Sequence, residues 1–285
     1  MKGNESKHAV EKMCHTFKVS RSGYYNWLDR KPSKREVESD QLKTAIGQIY
    51  KASKNRYGSI KITKELTALG WSVSRPRVAR MMRSEGLRSI INKKYRCATT
   101  DSNHSFSVAE NHLSRNFSAK RSGLKWVSDI TYIPTKQGWM YLTIIMDLFD
   151  RKIIGWALST NMTTKNTVIA AWRMAIRNRP TKEVLFHSDR GVQYASHEFR
   201  KEIAQHEAIQ SMSRKGNCWD NAVAENFFKI LKSEMVYHLR YQSILHAKND
   251  VFEFIEIWYN RKRIHSYLGY KTPEQYGKIN YSKYA

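Results

Sequence analysis

Apolar positions along the 285-residue chain recur first at helical and later at strand spacing. Ala9 to Lys18 and Arg21 to Arg30 read as two short helices around a Val19-Ser20 turn, with Ser20 as N-cap and Tyr24, Tyr25 and Trp27 on the second helix. So tight a connection suggests a helix-turn-helix unit over residues 1–37, although an ordinary helical hairpin has the same pattern. Lys31-Pro32-Ser33-Lys34 ends it. From Asp40 to Leu87, Leu42, Ile46, Ile49 and Tyr50 make one amphipathic face, Ile60, Ile62, Leu66 and Leu69 a second, and Val78 to Met82 a third. Ser74 and Pro76 suit the start of the last of these helices, whose exposed side includes Arg75, Arg77, Arg80 and Arg83. Insertion into a major groove and a solvated cationic face both fit, and phosphate contact by Arg77 and Arg80 is the simpler expectation. This second helical module spans 38–98, and the polar, aperiodic stretch 99–122 reads as a linker.

Beyond Leu124 the period changes. Trp126 to Ile133, Tyr141 to Phe149 and Lys152 to Leu158 are β-branched and aromatic, separated by turn residues, and predict an antiparallel meander. Thr163 to Arg177 has a helical stripe of Val168, Ile169, Trp172 and Ile176. Glu183 to His187 reads as a short strand, Ser196 to His206 as a helix capped by Ser196, and Ile209 to Met212 as a last strand. Asn217 to Lys232 winds Val223, Phe227, Ile230 and Leu231 to one side and Glu225, Lys229 and Lys232 to the other. Ile244 to Asn260 is a further amphipathic helix before a basic, aromatic tail. The order βββαβαβα describes an α/β domain with one mixed sheet and helices packed against it.

Charge narrows the functional class. Lys and Arg outnumber Asp and Glu by 50 to 25, giving a formal charge of +25 and a pI near 10.0. A chain that repels itself this strongly calls for a polyanionic partner, and nucleic acid leads. Apolar runs such as Tyr141 to Met146 are too short to cross a bilayer, and Met1 to Met13 lacks the apolar core of a signal peptide. Cys14, Cys97 and Cys218 are isolated, which argues against a disulfide framework or a thiolate zinc site. A cytoplasmic protein without a membrane partner is the expectation.

Three acids stand out by position. Asp129 lies inside the first apolar strand, where an unpaired carboxylate costs several kcal/mol. Asp189 follows the fourth strand, at the sheet end where ligands gather in α/β folds. Glu225 comes from the helix after the last strand. If the first and fourth strands are neighbours and that helix crosses them, the three carboxylates meet at one edge. Such a set suits hard divalent ions, Mg²⁺ with Mn²⁺ as a substitute, and a pair of ions ~3.5–4 Å apart is the usual clamp for in-line attack at a phosphodiester.

Trp126-Val-Ser-Asp129-Ile-Thr-Tyr-Ile, His187-Ser-Asp189-Arg-Gly-Val-Gln-Tyr194 and Ser211-Met-Ser-Arg-Lys-Gly-Asn-Cys-Trp-Asp220-Asn-Ala-Val-Ala-Glu225 closely resemble the DDE catalytic domain of IS3-type insertion-sequence transposases, relatives of retroviral integrases. Thirty-five residues separate Asp189 from Glu225, the spacing that names the D,D(35)E motif. The tail from Trp258 to His265 with Thr272-Pro273, and the helices around Tyr57-Gly58, extend the likeness over nearly the whole chain.

The resemblance implies an RNase H-like mixed five-stranded sheet over 123–285, preceded by small all-α helix-turn-helix modules. It implies a metal-dependent DNA transposase that cleaves and transfers strands, with Asp129, Asp189 and Glu225 as catalytic residues and ligands of two Mg²⁺ ions. It also implies double-stranded DNA as partner (element terminal repeats and target), a homo-oligomer on paired ends, a copy-out, paste-in route and fusion by frameshifting to an upstream helix-turn-helix protein. The basic residue seven after the Glu, Lys232, is expected on DNA; Lys229 on the same face and Arg214 and Lys215 in the preceding loop are further phosphate candidates. Two rival readings are a catalytically inactive DNA-binding regulator and a nuclease without strand transfer.

Other acids carry plainer expectations. Asp147 and Asp150 suit a turn and a partner for Arg151, and Glu198, Glu202 and Glu234 suit solvent. His187 fits a packed strand-end residue better than a proton carrier. His197-Glu198 begins like a zinc-protease motif, but Lys201 stands where the second His is required.

Overall fold

A computed structural model describes residues 1–91 and 108–281. Cys97, the first part of the 99–122 stretch and the end of the basic tail fall outside them. Helix α1 (Val10–Thr16) and α2 (Arg21–Leu28) form the first unit, where Ser20 Oγ accepts from Gly23 N as an N-cap should. Helices α3 (Lys34–Ala52), α4 (Ser59–Ala68) and α5 (Arg75–Ser84) follow. A capping box between Ser33 and Glu36 starts α3 at Lys34, eight residues before Leu42, the first residue of the periodic apolar face. Leu42, Ile46, Ile62, Leu66, Val78 and Met82 form the centre of this module. Ile60 and Leu69, assigned by periodicity to the same stripe, are exposed instead, because the two partner helices cover only the Ile62–Leu66 line of α4.

The larger domain starts from three strands, β1 (Lys125–Thr135), β2 (Gly138–Asp147) and β3 (Ile153–Ser159), paired antiparallel as a meander. A π-helical turn (Lys165–Ile169) leads into α6 (Ala170–Asn178). Strand β4 (Leu185–Ser188), helices α7 (Val192–Ala195) and α8 (His197–Ala204) and strand β5 (Ile209–Met212) complete the sheet. The strand order is β3-β2-β1-β4-β5, with β4 parallel to both β1 and β5. Two crossovers therefore put β1 at the centre. A mixed five-stranded sheet of this order, covered by helices on both faces, is the RNase H-like architecture.

Side-chain alternation along β1 separates two cores. Trp126 joins Trp172, Phe186, Tyr194 and Phe199 under α6 to α8, while Val127 and Ile133 join the helices that follow the sheet. These are α9 (Ala222–Glu234), α10 (Ile244–Phe252), its π-helical continuation (Glu253–Lys262) and α11 (Pro273–Tyr281). At Gly155 the backbone of α6 comes so close that a Cβ would lie 2.3 Å from Ala171 O, so only glycine lets this helix settle on β3.

The helical module docks on the second core. Tyr57 packs on Trp258 with ring centroids 5.4 Å apart, donates its hydroxyl to Lys262 O and accepts from Ile264 N. Beside it, Glu234 is buried, not solvated as its helix position suggests. Its carboxylate accepts from Arg263 at 2.9 Å and from Trp258 Nε1 at 2.9 Å. The turn acids are also repartnered: Asp150 pairs with Arg179 at 2.8 Å, and Arg151 lies over the Tyr267 ring at 4.1 Å. Among the described residues no helix is long and apolar enough to cross a membrane.

Candidate active site

The pairing of β1 with β4 decides where the acids meet. Trp126 stands beside Phe186 and Val127 beside His187, so Asp129 and Asp189 both leave the same end of the paired region. Asp129 is half-buried, opposite Ile144 on β2, and its Oδ1 accepts from Ile130 N at 2.8 Å. Asp189 follows the last residue of β4. Its Oδ1 accepts from Gly191 N at 3.0 Å, and a Cβ on Gly191 would press within 3.1 Å of that oxygen.

Glu225 reaches the same place because α9 is tied to β1 at its root. Asn221 Nδ2 donates to Ser128 O at 3.0 Å, next to Asp129. Ala224, Phe227, Phe228 and Leu231 fix the rest of the helix in the core, leaving Glu225 half-buried on the side of the acids. Ser128 Oγ is held from beneath by Ile144 O at 2.7 Å and the buried Tyr194 hydroxyl at 2.8 Å.

The three acids also act on one another electrostatically. Burial, and then the Asp189 and Glu225 carboxylates, push the Asp129 carboxyl well above its ordinary pKa, while Lys232 pulls it back. Burial and Asp189 raise Glu225 as well. Three acids that destabilise one another's charge form a place for cations. As arranged, no three His, Cys, Asp or Glu side chains among the described residues stand ready to hold one ion together.

The other candidates divide. Lys232 is half-buried on α9 within electrostatic reach of Asp129, and Lys229 is exposed on the same helix. Arg77 is engaged by Glu38 at 2.8 Å, and Arg80 is exposed; both belong to α5 of the helical module, not to the acid site. Lys215 is exposed in the loop between β5 and α9, but Arg214 is held: its Nε and Nη2 both donate to Asp220 at 2.9 Å.

Asp220 is the residue that sequence reasoning missed. Its side chain is fully buried, and besides Arg214 it accepts from Arg115 Nε at 2.8 Å and Asn111 Nδ2 at 2.9 Å. The segment 108–122, which reads as linker, thus clasps the loop leading to Glu225. The only signal in the sequence was an acid inside the Asn-Cys-Trp-Asp-Asn run. These donors hold the Asp220 carboxyl far below the usual range. Its stabilising effect is present above the unfolded carboxylate pKa of ~3.9 and fades as pH falls below it. Because Arg115 and Arg214 can return to water, Asp220→Asn is expected to cost a modest ~1–3 kcal/mol at pH 7. Urea melts at pH 7 and pH 3.5 check this: the gap to wild type should narrow at the lower pH, and a gap that widens contradicts the assignment.

His187 is buried between Ser211 Oγ at 2.8 Å and Ser213 Oγ at 3.2 Å, and burial draws its pKa down to about 4. It packs the strand end as a neutral ring.

Known families and proteins match most of the chain. Residues 119–218 and 225–280 match models of the integrase core domain, and 38–95 an HTH-like domain. The chain is 41% identical to the insertion element IS600 uncharacterized 31 kDa protein of Shigella sonnei, over 92% of this chain and 96% of that one. It is 36% identical to transposase InsF for insertion sequence IS3A of Escherichia coli K12, over 97% and 96%. Among solved structures, the HTLV-2 integrase catalytic core domain in complex with magnesium is similar at TM-score 0.42 and 18% identity, covering 55% of this chain and 98% of that one.

Proposed function

Since the chain belongs to the IS3 family of insertion-sequence transposases, we propose that it cleaves DNA at the ends of its element and joins those ends to a target, with Asp129, Asp189 and Glu225 at the reacting phosphate. The observation that carries this reading is the meeting of three mutually repelling carboxylates from β1, the end of β4 and α9. Their donor set fits Mg²⁺ or Mn²⁺: all oxygen, with burial and neighbouring carboxylates making the charge of Asp129 and Glu225 costly in the absence of a cation. Asp129, Asp189 and Glu225 would hold the ions. Bound there, such ions supply Lewis acidity, favouring deprotonation of an attacking water or 3′-hydroxyl and stabilising the departing 3′ oxygen.

The chain's own residues do the rest. Asn221 and the apolar face of α9 hold Glu225 against β1, and the Asp220 clasp fixes the loop before it. Lys232, whose charge acts on Asp129, would meet a phosphate oxygen of the DNA. Hydrolytic nicking and transesterification differ only in the attacking oxygen, so one site serves both, and no covalent protein–DNA intermediate is required. The helical module over 38–98 and the unit over 1–37 would bind terminal-repeat DNA, and the active form would be a homo-oligomer on paired ends.

Labelled terminal repeats, Mg²⁺ and a target duplex test this directly. Joined products are expected; nicks without joining point to a nuclease, and DNA binding with neither product points to a regulator. Lys232→Ala should weaken binding to every sequence and flatten the salt dependence of log K by about one unit, the share of a single phosphate contact. An unchanged slope removes Lys232 from the DNA.

A further inference from the structure

A groove opens between the tip of the β1–β2 hairpin and the turn that follows α9. Tyr132, Trp139, Tyr141, Tyr237 and Leu239 line it with Lys232, and it encloses about 740 Å³. That lies inside the ~300–1,000 Å³ of ordinary ligand pockets. Its rings face solvent: Trp139 is 58% exposed and Tyr237 51%. Cross-strand register builds the platform, since Tyr132 stands opposite Tyr141 and Pro134 opposite Trp139. The Tyr132 ring meets Tyr141 and Trp139 edge to face, with centroids 5.5 and 6.4 Å away. Edge-to-face contact of this kind is compatible with a further planar group lying on the exposed Trp139 ring.

Charge and continuity select the occupant. Tyr132 lies on the same strand as Asp129 and Lys232 on the same helix as Glu225, so the groove is built from two of the elements that carry the acids. Lys232 is the one charged residue among these rings, and in a chain of formal charge +25 it favours an anionic partner that also carries planar groups to lie on them. Duplex DNA hides the faces of its bases; a strand parted from its complement exposes them. We infer that this groove binds unpaired nucleobases of a DNA strand, stacking them on Trp139 and Tyr237 while Lys232 meets the adjoining phosphate. The inference rests on the reading of the acid site as a DNA-processing centre. It adds a subsite for single-stranded bases beside the reacting phosphate.

The test uses the full chain, fluorescein-labelled dT12 and a 12-base-pair duplex at one salt concentration, read by anisotropy. Base–aromatic stacking of ~1–3 kcal/mol per base corresponds to roughly 5- to 150-fold in affinity. W139A/Y237A should therefore bind dT12 at least about fivefold more weakly, while its duplex affinity stays within about twofold. W139F/Y237F, which keeps the rings, should restore dT12 binding. Equal loss on both probes, or none on dT12, overturns the inference. A variant that instead dissociates in sedimentation with dT12 affinity intact also overturns it, and assigns the groove to a second copy. D129N separates the two readings: persistent strand cleavage by D129N removes the catalytic assignment, while dT12 binding alone judges the groove.

Discussion

Replacing Asp129 or Asp189 with Asn, or Glu225 with Gln, is expected to abolish strand cleavage and joining while leaving end binding nearly intact. Divalent-ion stabilisation of a phosphoryl transition state is worth several kcal/mol, and each 1.36 kcal/mol is tenfold in rate, so losses of roughly a thousandfold or more are expected. The substitutions are isosteric, and Asn221 continues to hold α9 on β1, so the fold has no reason to fail. Without metal, the Asp129→Asn protein should melt above wild type. It lacks a charge that burial, Asp189 and Glu225 all disfavour. Single-turnover assays on labelled ends, with melts in EDTA, make both measurements. Undiminished cleavage by all three variants would leave the acids without a catalytic role, as the regulator reading requires.

A second large effect belongs to stability. Arg263→Met is expected to lower stability by about 3–5 kcal/mol, because it strands the Glu234 carboxylate in the core. Burial opposes that carboxylate's charge, yet Arg263, with Lys61 and Trp258, holds its pKa below the usual range. The pair sits where the helical module meets the catalytic domain: Arg56 Nε donates to Glu234 O at 3.1 Å, and its guanidinium lies 4.7 Å from the Trp258 ring centre. Loss of Arg263 should thus loosen the module as well as the core. Amide exchange in α4 should accelerate alongside a lower urea midpoint. The double variant Glu234→Leu/Arg263→Met should recover most of the loss, since it leaves no unpaired charge. A single variant with an unchanged midpoint would show that water reaches Glu234.

Order and type of the elements were legible because they rest on local periodicity. The β-branched runs gave the meander, β5 coincides with its apolar run at Ile209–Met212, and Ser20 and Ser196 cap the helices they precede. The acids were legible by position and spacing, and their convergence followed once β1 was taken as the neighbour of β4. Which charges pair was not legible. Glu234 looked solvated, Asp150 looked matched to Arg151, and Asp220 stood inside a motif with no sign of its partners. Each is settled by a partner distant in sequence or brought round by a loop: Arg263, Arg179, and the clasp of Arg115 and Arg214. Hydrophobic periodicity records which side of an element is apolar, whereas an ion pair depends on where two elements cross. Ile60 and Leu69 show the same limit, since an apolar stripe does not say how much of itself a neighbour will cover. The sequence by itself determined the elements, the polyanion-seeking charge and the three acids. Tertiary structure alone decided the Asp220 clasp, the buried Glu234–Arg263 joint and the aromatic groove beside Lys232, because each is made by crossings between segments that local patterns cannot encode.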